Sequence, residues 1–239
     1  VEAREPTLLY SDILAKTYDE LQRRLSGAPS APNTSGSTTA EVEVSDGTGS
    51  VVSAGTSAAA GSSTAAGTST SSGQAHSLEA QAFAASIGSW PLFPDSSAAL
   101  AQLSSLGLKL IVLSNVDKKS FAHTQKALEH DFTFDHVFTA EDIGSYKPDL
   151  NNHRYALQQL AAAYPDFKDS EVLAVAQSLT HDHVPAQALG LGSVWIARPG
   201  AIMGVSGEGV PTTEEGKDAF VQFKFGSMAE FAEAFTRAK

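Results

Sequence analysis

Three short polar clusters stand where chemistry can be done, each following an apolar run. Ser114-Asn115 follows residues 108–113. Tyr146-Lys147-Pro148-Asp149 comes a few residues after His136–Thr139. Gln177-Ser178-Leu179-Thr180-His181-Asp182-His183 follows residues 172–176. A hydroxyl and an amide at a strand end can hydrogen-bond an anion, although Ser114 equally suits the cap of a following helix. A lysine before a proline is held in extended backbone and can carry its ammonium to a carboxylate, whereas most loop lysines are simply solvated. Asp182 can orient a water or the lysine, or it can cap a helix. The His-Asp-His spacing turns His181 and His183 to different sides of a helix or loop, which argues against a shared metal ion, and no metal site is expected.

The elements that must position these clusters are legible in the apolar periodicity. Residues 7–25 carry Leu9, Ile13, Leu14, Tyr18, Leu21 and Leu25 near helical spacing, with Ser11 or Asp12 as starting residues. A second helix is predicted over 77–87, with Leu78, Ala82, Phe83 and Ile87 on one face. The two prolines of Trp90-Pro91-Leu92-Phe93-Pro94-Asp95 make a hinge. Further helices are predicted at 97–106, stopped by Gly107, and at 120–129, 152–164, 184–189 and 228–237. Strands are predicted at 108–113, 136–139, 172–176 and 193–197. The uninterrupted run LKLIVL suggests a strand buried on both faces. Strands alternating with helices imply an α/β fold with a doubly wound parallel sheet, whose ligands sit at the carboxyl ends of the strands.

Composition narrows the function classes. The chain has 239 residues and a formal net charge of −11, so it offers no basic surface for nucleic acid or an anionic membrane. It has no cysteine, which excludes disulfides, thiolate metal sites and a cysteine nucleophile and fits a reducing, cytoplasmic setting. No apolar run reaches the roughly 20 residues that span a bilayer, and the first residues form no signal core. Residues 26–76 are almost all Ser, Thr, Gly and Ala, too poor in apolar surface to offset ordering entropy, and read as a disordered insertion with a short strand at 41–44 as its one candidate element.

Taken in order, strand-Ser-Asn, Tyr-Lys-Pro-Asp and strand-polar-Asp followed by Leu-Gly resemble the haloacid dehalogenase superfamily, in particular its type II 2-haloacid dehalogenase branch. The resemblance covers the chain outside 26–76, and the 90–95 hinge and the segment Phe223-Lys224-Phe225-Gly226-Ser227 resemble fungal members. It implies a Rossmann-like core at 91–239 and a partial helical cap at 7–90. It also implies hydrolysis through an aspartyl ester. Ser114 and Lys147 would bind and polarise the nucleophile or the substrate anion. Asn115 matches the Asn after the motif-two Ser. Asp182 would be the motif-four acid, and Gln177 and Ser178 would lie beside the substrate at the end of the preceding strand.

The family nucleophile lies in an apolar strand followed by Asp-x-Tyr/Phe-Gly-Thr, and this sequence contains no such segment. Its nearest approach, around Asp12, lacks the glycine and reads as helix. The expectation is therefore an N-terminally truncated chain whose sheet lacks its central strand, which would be marginally stable and inactive as it stands. Three functions remain open. The first is a dehalogenase-type hydrolase of a small organic acid with no cofactor. The second is a non-catalytic binding or regulatory protein on the same fold. The third is a phosphatase, which would require Mg²⁺. A homodimer is left open, and no nucleic-acid or membrane partner is expected.

Overall fold

A computed structural model describes Glu5 and residues 7–27 and 76–238. The candidate strand at 41–44, and nearly all of the 26–76 segment, lie outside the described residues. Residues 1–21 and 76–239 belong to one compact unit, and it is this unit that carries the site.

Five strands are described, and all pair in parallel, as the alternation of apolar runs and helices predicts. They fall into two sheets. β1 (Ile111–Ser114) pairs with β2 (His136–Thr139), in a register that sets Ser114 opposite Thr139. β3 (Leu173–Ala176) pairs with β4 (Gly192–Ile196), which pairs with β5 (Phe223–Phe225). β4 is buried along almost its whole length. Val194 and Ile196 face Ala99 and Leu103 of α3 (Ser96–Ser105) and Phe231 and Ala232 of α9 (Met228–Ala238). Trp195 points the other way, onto Leu179, Val210 and Val221. This alternation is the period of two expected of a strand covered on both faces.

β1 and β3 depart from the expectation of strands buried on both faces, because every residue in each is only half-buried. The cause is a cleft of about 1200 Å³ that runs between them. Its walls are Ile111 and Leu113 of β1, Leu173 to Ala176 of β3, and apolar side chains of α3, α9 and α6 (Leu150–Ala163). Each strand is paired on one side and looks into the cleft on the other.

The helices show where periodicity misleads. α1 (Tyr10–Leu25) begins three residues later than predicted, and neither Ser11 nor Asp12 caps it from within. Instead the Ser11 amide donates to the Asp117 carboxylate at 3.2 Å, so the helix start is satisfied from a distant residue. Of the face predicted for the helix at 77–87, Ile87 is buried in a 3-10 turn that continues α2 (Leu78–Ala85), yet Leu78 is 80% exposed and Phe83 39%. The buried face is Ala80 and Ala84 packed on Ala15 of α1. Small side chains let the two helices approach closely, and Phe83 lies on the rim against Tyr18, with ring centroids 5.5 Å apart.

Asp117 also caps α4 (Lys118–Leu128), accepting from the Ser120 amide at 2.8 Å and the Ser120 hydroxyl at 2.9 Å. Although burial opposes its charge, these hydrogen bonds hold its carboxyl below the usual carboxylate range. Two short helices, α5 (Ala140–Ile143) and α8 (Glu214–Phe220), and strand β5 were not predicted. Each is too short for a hydrophobic period to register. α7 (Val184–Ala188) follows a π-helical turn over Leu179–His183. Among the described residues no helix is long and apolar enough to cross a membrane.

Candidate active site

The carboxyl ends of β1 and β3 open at the same end of the cleft, and Lys147 joins them. Its Nζ donates to the carbonyl of Leu113 at 2.7 Å, at the end of β1, and to Asp182 Oδ1 at 2.6 Å, in the turn after β3. Both side chains are largely buried, at 11% and 17% exposure. An ammonium that ties two strand ends in a low-dielectric setting is a strong, fixed positive pole for an anion. Of the two roles left open for Lys147, the solvated loop lysine does not describe it.

Asn115 holds this lysine in place. Its Oδ1 accepts from the Lys147 amide at 2.8 Å, and its Nδ2 donates to the Lys147 carbonyl at 3.1 Å. The side chain expected to bind an anion thus grips the backbone of the cation instead. Asn115→Ala is expected to lower stability by about 2 kcal/mol, one for each hydrogen bond lost. A urea midpoint unchanged from the parent would show that the clamp contributes nothing.

Ser114 ends β1, and its Oγ accepts from the Val116 amide at a long 3.4 Å. Because Asp117 caps the next helix, Ser114 is spared that role. The π turn sorts the third cluster. Ser178 starts it, its Oγ accepting from the His181 amide at 3.1 Å and lying 2.8 Å from His181 Nδ1. Gln177 turns away from the cleft, its Nε2 donating to the Met203 carbonyl at 3.0 Å. Ser114, Asn115, Lys147 and Asp182 are therefore gathered at one strand end, while Gln177 and Ser178 contact the loop at 203–204 and their own turn.

His183 is fully buried. Its Nε2 donates to the Ala176 carbonyl at 3.0 Å, so in the neutral ring Nδ1 accepts from the Ser193 hydroxyl at 2.8 Å. Burial pushes its pKa down. It thus anchors the π turn to β3 and β4, while His181 serves Ser178. His153, in the first turn of α6, also borders the cleft beside Asp182. Sequence reasoning missed it, since a single histidine in a predicted helix carries no motif.

A divalent cation asks for several oxygen ligands. Among the described residues no group of three or more His, Asp and Glu could hold a metal ion. Among the described residues, the one acid lining this end of the cleft, Asp182, is engaged by an ammonium. This donor set does not fit Mg²⁺.

Comparison with known proteins gives the family and the fold. A family model described as haloacid dehalogenase-like hydrolase matches residues 14–188. (S)-2-haloacid dehalogenase H-109 of Pseudomonas putida is 30% identical over 121 residues, which is 51% of this chain and 51% of that protein. Two solved structures are similar in fold. A dehalogenase matches with a TM-score of 0.52 and 22% identity over 65% of this chain and 61% of its own. The L-2-haloacid dehalogenase from Xanthobacter autotrophicus matches with a TM-score of 0.50 and 18% identity over 66% of each. The chain spans about half the length of the curated relative it matches.

Proposed function

The chain belongs to the haloacid dehalogenase-like hydrolase family, and on that premise we propose that its site serves the hydrolysis of a carbon–halogen bond in a small 2-haloacid. On this reading residues 7–90 form the cap side and 91–239 the core. A parallel strand fills the cleft between β1 and β3 and brings a nucleophilic aspartate to its carboxyl end. The carboxylate oxygen attacks the halogen-bearing carbon and the halide leaves with the bonding pair. Water then attacks the ester carbonyl, regenerating the carboxylate and releasing the 2-hydroxy acid and a proton. Lys147 neutralises the reacting carboxylates, Asp182 and Asn115 fix the lysine, and Ser114 offers its hydroxyl at the same strand end.

The observation that carries this reading is the Lys147 ammonium, held by Leu113 and Asp182 at the mouth of a cleft bounded by two parallel strand edges. The likeness to the Pseudomonas putida dehalogenase supports the choice of substrate class. A second reading, a protein that binds such anions without turning them over, is favoured by one fact. Among the described residues at this end of the cleft, Asp182 is the only acid, and it is already paired.

The test is a single turnover of 2-chloropropionate in ¹⁸O-water by the protein isolated from its native source. Chloride release, with the label entering the enzyme and not the lactate, supports the ester route. Lactate labelled in the first turnover overturns it. Lactate binding without chloride release would establish the binding reading instead.

A further inference from the structure

His153 is a buried titratable group beside the site with no part in the reaction outlined above. It is 6% exposed and borders the cleft together with Leu113, Ala176 and Asp182. Its Nδ1 is buried without a hydrogen-bond partner among the described residues. Leaving a polar atom in that state is unfavourable, and an apolar side chain of similar shape would avoid the cost. Burial, reinforced by the Lys147 ammonium and His183 and opposed by Asp182, pulls its pKa down to about 4. The ring is therefore neutral near pH 7, with one N–H and one lone pair. It can add a donor next to Lys147 without placing a second positive charge there.

We propose that His153 is a ligand-contacting residue of this site, whose imidazole N–H donates a hydrogen bond to the anionic group held by Lys147. The identity of that group as a carboxylate rests on the hydrolase reading above. The position of His153 beside the lysine does not. Lysine supplies charge with little direction, whereas the ring supplies a directed donor from a different element, so the pair would select both the sign and the orientation of the ligand.

The experiment is a titration of the full chain with two probes, sodium lactate and inorganic phosphate, followed by the histidine ring NMR signals. It is run on the parent and on Lys147→Ala, His153→Phe and His153→Gln. The expected result is that lactate shifts the His153 ring signals and that His153→Phe weakens lactate binding about tenfold. His153→Gln, which keeps an N–H donor, recovers most of the affinity. Thermal unfolding of the His153→Phe protein at or above the parent temperature shows that the loss is not a folding defect. Lactate binding that depends on Lys147 but is unchanged in His153→Phe overturns the proposal and leaves the hydrolase reading intact. If phosphate is instead the anion lost in Lys147→Ala, the organic-acid reading fails, and His153 stands or falls by the same tenfold criterion on phosphate. Binding of neither probe by the parent sinks both.

Discussion

Asp182→Ala is expected to destabilise the protein by about 3 kcal/mol or somewhat more, because it strands a buried cation. In the folded chain the Lys147 ammonium has two partners at hydrogen-bonding distance, Asp182 and the Leu113 carbonyl, and its side chain is only 11% exposed. Without the carboxylate, one carbonyl must stabilise a charge that water reaches poorly. Screening by the remaining solvent exposure places the effect at the lower end of the 3–5 kcal/mol typical of broken buried pairs. The double variant Lys147→Met/Asp182→Leu removes both charges and fills similar volume, and it is expected to lie within about 1 kcal/mol of the parent. Urea unfolding at constant m-value measures both variants. If Asp182→Ala has the parent's midpoint, the pair is not a buried electrostatic contact. Stability and function then separate cleanly, since the double variant keeps the fold and loses the positive pole.

Acid is expected to weaken the fold well before the carboxylates titrate. Folded His153 takes up its proton only near pH 4, while an unfolded histidine does so near 6.5. Between these values the unfolded chain binds the extra proton, so stability falls as pH falls, by about 1.4 kcal/mol per pH unit and roughly 3 kcal/mol in all. The contribution is complete above pH 6.5 and is lost by pH 4. His183, also pushed down by burial, acts in the same direction. Asp95, Asp117, Asp135 and Asp142 are held below the ordinary value of 3.8 by their hydrogen bonds and ion pairs. Their contributions are present above that value and are lost only below it, in a separate window. Midpoints of urea unfolding from pH 7 to 4 should therefore slope downward in the parent and more gently in His153→Phe. Equal slopes would show that His153 does not titrate with folding.

Much of the arrangement was legible from residue order. The apolar runs gave parallel strands, and three polar clusters after strands gave Ser114, Lys147 and Asp182 a common end, because side chains at the carboxyl ends of parallel strands converge. What was not legible depends on tertiary partners. α2 buries alanines because its neighbour also presents an alanine, Ala15. The start of α1 is capped from Asp117, more than a hundred positions away. Asn115 looked like an anion donor until the backbone of Lys147 came within reach of both its amide atoms. β1 and β3 read as strands buried on both faces because a hydrophobic run reports what a strand can cover, not whether a neighbour lies beside it.

The π turn at Leu179–His183 makes the site sensitive to a change in chain length. Its closing bond runs from the Val184 amide to the Leu179 carbonyl, one residue wider than an α turn. Deleting Thr180 would let the segment close at α pitch and would swing Asp182 and His183 by about 100° each. The carboxylate would leave Lys147 and the imidazole would leave Ser193, while the sequences of β3 and α7 stayed as they are. A single codon lost or gained in this turn thus acts as an on–off change at the site.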